Sequence, residues 1–336
     1  MSTTILKMQQ PIIHNYLGIK NSTRNLTDEE FENILPQLAK ELSDISFYPN
    51  HSDEILQKNW KQLCDYTSEE DYTASTVITG MKLCEHFFPN FYDIKNTKGN
   101  CFSNLWKDTN NLEKILRWNR KSHSTPYLSE LKRGIYFCCG LTKNTMFRPH
   151  LSKMICDAKE GQYVLDPCAG WGGRMLGAVA SGKTYIGFEP NDETYDNLIQ
   201  LKDYLNLQNV TIYNDVAENM NKYDFPYVDI ILTSPPYFNL EIYSDKGSEN
   251  DYNNYESWKE GWLKDVILKS LGHLKKDGWS CWNVHNIGKM KLIDDVKEIH
   301  ERHTLKETRE FGIQSSKRQA NDNTKKNLDT TKIYTF

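Results

Sequence analysis

The sequence predicts an α/β protein in which a doubly wound, mostly parallel sheet follows an N-terminal helical segment. From Gly161 onward, short apolar runs alternate with helical stretches, which is typical of a parallel sheet with helices on both faces. Before that point, the first hundred or so residues show helical patterns without strand-like alternation. We therefore predict a helical domain over 1–120, a candidate for substrate recognition, and a sheet domain over 121–336.

Capping and periodicity predict the helices of the first segment. Residues 27–30 read Thr-Asp-Glu-Glu, a capping box, and apolar residues follow on one helical face. Pro36 falls inside this pattern, where a proline kinks a helix. Further helical patterns cover 55–63, 77–87 and 112–118. The patterns fit a packing domain and a recognition domain equally well.

Seven strands are predicted in the second part of the chain. They cover 163–166, 184–189, 210–213, 228–233, 279–284, 305–313 and 332–336. In open sheets of this kind, ligands bind beyond the carboxyl ends of the strands. The residues that follow each predicted strand are therefore the first candidates for a functional site.

Composition is typical of a soluble globular protein, with 38% hydrophobic and 26% charged residues. No apolar run approaches the roughly 20 residues that span a bilayer, and the first ten residues lack the plan of a signal peptide. We therefore expect a cytoplasmic protein that does not bind membranes. The eight cysteines and nine histidines show no metal-ligand spacing, so we expect buried free thiols and no metal site. The Lys- and Asn-rich composition fits an AT-rich genome and suggests a viral or phage origin.

A glycine-rich turn follows the first strand of the predicted sheet. Asp166-Pro-Cys-Ala-Gly-Trp-Gly-Gly173 leads from that strand into a helix-forming run. Glycines let the backbone approach a ligand closely, and the N-terminus of the next helix offers unpaired N–H groups to an anionic group. The spacing differs from the GxGxxG fingerprint of NAD sites. Taken alone, such a loop is more often a tight turn than a cofactor site.

Acidic residues follow the next two strands. Glu189 lies about twenty residues after the glycine loop, where a carboxylate can accept hydrogen bonds from both hydroxyls of a ribose. Asp215 follows the third strand, where a carboxylate can accept a hydrogen bond from an adenine amino group. Each acid alone is typical of a surface or capping position. Three such features at three successive strand ends favour a nucleoside-containing cofactor.

Ser234-Pro-Pro-Tyr237 follows the fourth strand directly. Because Pro235 and Pro236 cannot continue a strand or a helix, they fix a stiff loop at the ligand-binding edge of the sheet. The Ser234 hydroxyl and the Pro235 carbonyl can accept both hydrogens of a planar amine, which favours the pyramidal geometry that attacks a methyl group. Tyr237 offers a ring face for stacking. The loop is therefore predicted to hold an amine-bearing ring.

Three motifs together resemble the amino-methyltransferases that depend on S-adenosylmethionine (SAM). Residues 166–173 are similar to motif I of that superfamily, and 234–237 to its (Ser/Asp/Asn)-Pro-Pro-(Tyr/Phe) motif IV, here in the form SPPY. Residues 147–154 are similar to motif X, and the order X, I, IV is that of one permuted group. The resemblance covers roughly 125–336. It implies a seven-stranded Rossmann-like methyltransferase sheet whose last strand, 332–336, is reversed.

The resemblance also implies a cofactor and roles for particular residues. By position, SAM would be held by Phe147, Pro149, Asp166, Ala169, Gly170, Gly172, Glu189 and Asp215. The catalytic grip on the target would be formed by Ser234, Pro235, Pro236 and Tyr237. Enzymes of the superfamily methylate cytosine N4 or adenine N6, usually in DNA, and Ser at the first position of motif IV is more usual for cytosine N4. The resemblance thus implies a SAM-dependent N-methyltransferase acting on DNA, with cytosine N4 favoured over adenine N6.

Charge distribution bears on the substrate. The formal net charge is −4, yet residues 117–153 contain eight Lys or Arg against the single acid Glu130, interleaved with aromatic residues. Such a segment can bind nucleic acid by neutralising phosphates and stacking on bases, although a solvated face has the same composition. Residues 238–257 carry five acids against one lysine and would repel phosphates. The same methyl transfer to RNA, a free nucleotide or a protein side-chain amide stays open, as does a catalytically idle SAM-binding module.

Overall fold

The computed structural model describes residues 12–22, 24–67, 73–74, 78–142, 144–238, 251–303, 305, 309–314 and 328–336. The chain forms two compact units, each built from two pieces: 1–49 with 91–144, and 50–90 with 145–336. The units therefore interleave along the sequence. The predicted functional division at residue 120 stays a prediction.

Helices and strands alternate through the second half of the chain. In chain order the helices are α1 (Asp28–Ser43), α2 (Asp53–Cys64), α3 (Met81–Phe87), α4 (Phe102–Lys107), α5 (Thr109–Lys121), α6 (Leu128–Cys138), α7 (Pro149–Asp157), α8 (Gly173–Ala180), α9 (Asp192–Tyr204), α10 (Tyr255–Trp258), α11 (Lys264–Gly272) and α12 (Leu292–Arg302). The strands are β1 (Thr73–Ala74), β2 (Tyr163–Asp166), β3 (Thr184–Phe188), β4 (Val210–Tyr213), β5 (Val228–Thr233), β6 (Leu274–Asn283), β7 (Arg309–Gln314) and β8 (Leu328–Thr335). A π-helical turn, Lys259–Leu263, joins α10 to α11.

The first unit is a helical cluster built around α1, α5 and α6. The predicted capping box begins α1, since Thr27 Oγ1 accepts the Glu30 N–H at 3.2 Å and a Glu30 carboxylate oxygen accepts the Thr27 N–H at 2.7 Å. The apolar face of α1, with Phe31 and Leu35, is fully buried. It packs in one core with Ile115 of α5 and Leu131 of α6. Amphipathic periodicity therefore predicted α1 and the centre of α5, whereas α6 was not predicted.

The second unit contains an eight-stranded sheet of order β1-β7-β8-β6-β5-β2-β3-β4. The pairs from β6 through β5, β2 and β3 to β4 are all parallel, and β8 runs antiparallel to β6 and β7. Strands β2 to β8 confirm the predicted seven-stranded, doubly wound fold with a reversed last strand. The two-residue β1, parallel to β7, adds an edge that the sequence did not predict.

Strand boundaries follow burial. The strands β2, β4 and β5 have the predicted bounds, and all six residues of β5 are buried. In contrast, β6 begins at Leu274, five residues before the predicted start at Trp279. Its first residues include the exposed Lys275 and Lys276, so they lack the apolar pattern from which strands are predicted. Sequence reasoning therefore located the buried strands best.

Residues 50–90 are part of the sheet unit. The Asn90 side chain donates to Thr194 Oγ1 of α9 at 2.8 Å. Phe88 is fully buried, and a Cβ added to Gly172 would stand 3.2 Å from its ring. This stretch of the helical N-terminal region therefore packs beside the glycine loop of the sheet domain.

The eight cysteines differ in their exposure to solvent. Cys84, Cys101, Cys156 and Cys281 are buried free thiols, as predicted. The prediction is wrong for Cys64, which is exposed because it lies on the solvent side of α2, and the remaining three are only partly buried. Among the described residues, no cluster of three or more His, Cys, Asp or Glu side chains could hold a metal ion. Within the same residues, no helix has the length and apolar character needed to cross a membrane.

Candidate active site

Five adjacent parallel strands, β6, β5, β2, β3 and β4, end at one edge of the sheet. Asp166 is the last residue of β2, Glu189 follows β3, and Asp215 comes two residues after β4. On the other side of β2, Ser234 follows β5 and Asn283 ends β6. Since the carboxyl ends of adjacent parallel strands lie together, the structure brings the predicted residues to one edge. It also adds Asn283, which sequence reasoning missed.

The glycine loop between β2 and α8 has one open side and one packed side. Gly170 and Gly172 adopt the left-handed φ values of +55° and +70°, which favour glycine. A Cβ added to Gly170 would have its nearest neighbour 3.7 Å away, whereas one added to Gly173 would stand 2.0 Å from the Phe147 carbonyl oxygen. Gly173 therefore allows α8 to pack closely, and Gly170 leaves the space a bound cofactor requires.

Asp166 is fully buried, and both of its carboxylate oxygens are engaged within the chain. One oxygen accepts the Cys168 N–H at 3.1 Å and the Thr233 hydroxyl at 2.9 Å. The other accepts Arg174 Nε at 2.7 Å and the Tyr185 hydroxyl at 2.8 Å. Because Thr233 directly precedes Ser234, this carboxylate connects the glycine loop with the Ser-Pro-Pro-Tyr loop. A direct contact of Asp166 with SAM stays a prediction.

Arg174, in the first turn of α8, is a second organising residue that the sequence did not reveal. Its side chain is buried against Asp166, and its Nη2 donates to the carbonyl oxygens of Cys168 and, at 3.3 Å, Ala169. The guanidinium lies 5.3 Å from the centre of the Phe147 ring. One cation therefore fixes the glycine loop at three acceptors and packs on motif X. The sequence carries no signal for this contact, because the burial of Arg174 is visible only in the structure.

Tyr185 completes this buried group. Burial and the neighbouring Asp166 charge raise the pKa of its phenol well above the ordinary value. The phenol therefore stays protonated and acts as a donor to Asp166.

The remaining predicted cofactor residues near motif I and motif X surround the glycine loop. Glu189 is nearly buried, and its two carboxylate oxygens accept the N–H groups of Gly170 at 2.9 Å and Asn191 at 3.0 Å. Each carboxylate oxygen can accept a further hydrogen bond. Ala169 is buried, and its N–H donates to the Phe188 carbonyl at 2.8 Å. Glu189 therefore supports the glycine loop through its carboxylate.

Asp215 lies beyond β4 in a small hydrogen-bonded cage. One of its oxygens accepts the Val216 N–H and the Asn219 side-chain amide, both at 2.8 Å, and the other accepts the Tyr223 hydroxyl at 2.8 Å. Although burial acts to raise it, the hydrogen bonds from Asn219, Tyr223 and Val216 hold the pKa of Asp215 below its ordinary value. The carboxylate is therefore ionised and oriented.

Motif X places its two predicted residues at the start of α7. Pro149 is the first residue of that helix and is buried, a position where its missing N–H costs nothing. Phe147 is partly buried, and its carbonyl contacts the glycine loop at Gly173. The two residues thus lie beside motif I, as the order of motifs implies.

The Ser-Pro-Pro-Tyr loop begins directly beside the end of β6. Ser234, Pro236 and Tyr237 are partly exposed, whereas Pro235 is buried. The Asn283 side-chain amide donates to Ser234 Oγ at 3.1 Å, and the Tyr237 hydroxyl lies 3.4 Å from the Asn283 carbonyl oxygen. The target-facing loop is therefore connected to a neighbouring strand as well as to the glycine loop.

An aromatic pocket adjoins Tyr237. Its lining residues are Tyr237, Phe238, Tyr255, Trp258, His285, Ile287, Met290 and Leu292. The Tyr237 and His285 rings stack with an interplanar angle of 11°, and Phe238 adopts a left-handed φ of +47°, which turns the chain directly after the motif. Residues 239–250, the greater part of the predicted acidic stretch 238–257, lie outside the described residues.

The cationic side chains of segment 117–153 are mostly engaged within the chain. Arg117 pairs with Glu32, and Arg120 with Asp28, both at 2.8 Å. The pairs Arg133–Glu130 and Lys153–Asp157 close at 2.9 and 2.7 Å, and Lys132 donates to the Phe47 carbonyl at 2.8 Å. The excess counted along the sequence is therefore reduced by acids from distant positions. Binding of nucleic acid through this segment stays a prediction.

Comparison with known proteins identifies relatives of the sheet domain. Residues 228–333 match the family model N6_N4_Mtase, described as DNA methylase. Over 90 residues the chain is 37% identical to the Type II methyltransferase M.MjaVI of Methanocaldococcus jannaschii, a match that covers 26% of this chain and 42% of that protein. This chain thus spans less than half the length of that relative.

Solved structures give more remote similarities. A putative rRNA methylase from Clostridium thermocellum is 16% identical with a TM-score of 0.36, over 57% of this chain and 96% of that chain. Precorrin-6y C5,15-methyltransferase from Geobacter metallireducens is 14% identical with a TM-score of 0.39, over 58% of this chain and 89% of that chain. The matched segment 228–333, which includes Ser234–Tyr237, is thus similar to DNA methylases.

Proposed function

We propose that this protein transfers the methyl group of SAM to an exocyclic amine of a nucleobase in DNA, with cytosine N4 favoured over adenine N6. The observation that carries the proposal is the juxtaposition of the two motifs. Ser234–Tyr237 begins one residue after Thr233, whose hydroxyl is bound to the Asp166 carboxylate at the start of the glycine loop. The Ser-Pro-Pro-Tyr loop and the glycine loop are thus adjacent, and the buried Asp166 carboxylate connects them.

The residues around the glycine loop fit SAM. The open side of Gly170 leaves room for it, Glu189 has acceptor capacity for the ribose hydroxyls, and Asp215 is an oriented acceptor for the adenine amino group. Phe147 and Pro149 would line the methionine side. When bound, SAM supplies a methyl group on a sulfonium, which passes to the amine lone pair and leaves a neutral thioether. The proton released by the methylated amine goes to solvent.

The Ser-Pro-Pro-Tyr loop would prepare the target amine. Ser234 Oγ and the Pro235 carbonyl accept the two amine hydrogens, which draws the lone pair out of conjugation with the ring. The prolines keep these acceptors fixed, so little reorganisation is needed at the moment of transfer. Tyr237 stacks on the ring. No strong base is required, because the amine attacks before it loses its proton.

DNA is the favoured substrate because residues 228–333 match a DNA methylase family. A second candidate is the same transfer to RNA, a free nucleotide or a protein side-chain amide. Within this second candidate, the pairing of Arg117, Arg120 and Arg133 with acids favours a free nucleotide or a protein side-chain amide, because paired cations are less available to bind a phosphate backbone. Ser at the first position of motif IV favours cytosine N4, although cytosine and adenine present the same amine beside a ring nitrogen.

Tritium transfer from labelled SAM tests the proposal. The purified protein is incubated with unmethylated duplex DNA, single-stranded DNA, RNA, nucleotides and protein, and the products are digested for mass spectrometry. We expect N4-methylcytosine in DNA, formed much more slowly by Ser234→Ala. Formation of N6-methyladenine in DNA would show that adenine, and not cytosine, is the target base. Methylation of RNA, nucleotide or protein alone would establish the second candidate. SAM binding without transfer to any of them would refute the proposed function.

A matched variant controls for folding. Ser43→Ala removes a hydroxyl at the end of α1 that bonds only its own helix, at the Lys40 carbonyl. It should keep the full transfer rate, whereas Ser234→Ala should retain only a small fraction of it. Equal losses in both would indicate that the assay reports protein stability.

A further inference from the structure

Asn283 is placed beside Ser234 by the sheet itself. In the parallel pairing of β5 and β6, Thr233 lies opposite Trp282, so the next residues, Ser234 and Asn283, lie side by side. On its other side, Asn283 pairs with Ile333 of the antiparallel β8. A residue held between two strands has a fixed backbone, which makes it a precise reference point for a neighbouring loop.

Three contacts connect Asn283 with the loop. Its Nδ2 donates to Ser234 Oγ at 3.1 Å, an ordinary hydrogen-bond length. The hydroxyls of Ser234 and Tyr237 both point to its backbone carbonyl at 3.4 Å, which is long. The Asn283 side-chain amide therefore makes the stronger contact. The Asn283 carbonyl is a shared, weaker acceptor for the hydroxyls of Ser234 and Tyr237.

The hydrogen-bond capacity of Ser234 then limits what it can offer a substrate. A serine hydroxyl has one proton and two lone pairs. The Asn283 amide occupies one lone pair, and the hydroxyl proton is directed at the Asn283 carbonyl. One lone pair is left. Ser234 is consequently set as an acceptor, which is the role that an amine hydrogen requires.

The other end of the Asn283 amide argues against a purely structural role. Its Oδ1 is buried and finds no hydrogen-bond partner among the described residues. A buried unpaired acceptor is destabilising, so this end of the amide does not contribute to the stability of the fold. Within the described part of the chain, the side chain bonds Ser234 alone.

We propose that Asn283 is a positioning residue for methyl transfer, which orients the Ser234 hydroxyl so that its free lone pair faces the target amine. The inference rests on the proposed function. Without the amide, the hydroxyl can rotate and present its proton to the amine, where it opposes the N–H group. The loss should affect the transfer step, because that step depends on drawing the amine out of conjugation, and should leave SAM binding unchanged.

Single-turnover methyl transfer in a double-mutant cycle tests this role. Asn283→Leu removes the donor at similar size, and we expect the transfer rate constant to fall roughly tenfold, the loss of about one hydrogen bond. In the Ser234→Ala background the same change should have no further effect. The Kd for SAM, measured by calorimetry, should stay within about twofold of wild type. Asn221→Leu, which removes a comparable amide contact to His273, should behave as wild type.

The outcomes separate the two proposals. Wild-type transfer with an unchanged rate in Asn283→Leu refutes the positioning role alone. The positioning role is also refuted if Asn283→Leu lowers the transfer rate constant equally in the wild-type and Ser234→Ala backgrounds, because an effect on structure alone does not depend on the Ser234 hydroxyl. If the wild type transfers no methyl group to any acceptor, the proposed function fails, and the positioning role fails with it. Should Asn283→Leu not fold, Asn283→Ala removes the same donor without added bulk and is judged by the same cycle.

Discussion

Replacing the buried Asp166 by Asn tests whether one carboxylate holds the site together. Asn is the same size and keeps one acceptor, so the change removes charge and adds one donor. One carboxylate oxygen of Asp166 accepts hydrogen bonds from Arg174 Nε at 2.7 Å and from the Tyr185 hydroxyl at 2.8 Å. The other oxygen accepts one from the Thr233 hydroxyl at 2.9 Å. Whichever way the new amide turns, its NH2 faces groups that are already donors. The guanidinium of Arg174 would then be buried without its counter-charge.

The expected magnitude follows from that unpaired charge. Removing one partner of a buried ion pair costs about 3 to 5 kcal/mol of unfolding free energy. For a unit of this size the thermal midpoint should fall by roughly 6 to 20 °C. Urea unfolding followed by circular dichroism measures the first quantity, and calorimetry the second.

An exposed acid of the same unit provides the control. Asp224→Asn makes the identical chemical change at an exposed position, where we expect less than about 0.5 kcal/mol. If Asp166→Asn also changed the unfolding free energy by less than about 1 kcal/mol, the geometry described for Asp166 and Arg174 would be refuted, since no buried ion pair is lost so cheaply.

Three further predictions concern packing, pH and the cofactor. Gly173→Ala should destabilise the protein by about 1 to 3 kcal/mol in urea unfolding, because the new Cβ would stand 2.0 Å from the Phe147 carbonyl oxygen, which is backbone and cannot rotate away. Burial lowers the pKa of His300 from 6.5 to about 4, so the unfolded chain binds its proton at higher pH than the folded chain. Stability is therefore complete above pH 6.5 and should fall by about 3 kcal/mol as the pH drops to 4, measured as urea unfolding against pH. Glu189→Gln should raise the Kd for SAM in calorimetry about tenfold to a hundredfold, since it removes a charged acceptor for the ribose.

Each of these has a control at a neutral position. Gly272→Ala adds a Cβ with nothing within 4 Å and should change stability by no more than about 1 kcal/mol. His303→Gln should keep the steep pH dependence that His300→Leu removes; an unchanged slope in His300→Leu would contradict the assignment. Glu193→Gln, at an exposed position of α9, should leave the Kd unchanged. If it weakened SAM binding as much as Glu189→Gln, the ribose assignment would be wrong.

The sequence predicted those parts of the fold in which burial dictates residue type. β2, β4 and β5 were found with their bounds because short apolar runs end at polar or glycine-bearing turns. The helices of 50–90 were also predicted, but not their partner. An amphipathic pattern shows that one face is buried without showing against which surface, so the packing of Asn90 on α9 could not be read from it.

For the site, the sequence located the residues at strand ends but not the groups that hold them. Asp215 and Ser234 follow their strands and could be found by the rule that ligands bind at carboxyl ends. The same rule did not find Asn283, because the predicted strand 279–284 extends one residue beyond the observed end of β6. Arg174 lies inside a helix, where its residue type gives no hint that the side chain turns back to the glycine loop. Such contacts depend on rotamers and on neighbours from other elements.

A count of charges along the chain also misses partners that come from other elements. This omission affects what can be inferred about the substrate. The acids that neutralise Arg117 and Arg120 lie about ninety residues earlier, in α1. A count within 117–153 therefore includes cations whose field is largely cancelled, and only an unpaired cation releases a counterion when it meets a phosphate. If the protein acts on DNA, the salt dependence of its binding should then be shallower than eight cations would give. Measuring Kd against salt concentration relates the structure directly to the substrate, because the slope counts the phosphates that are neutralised.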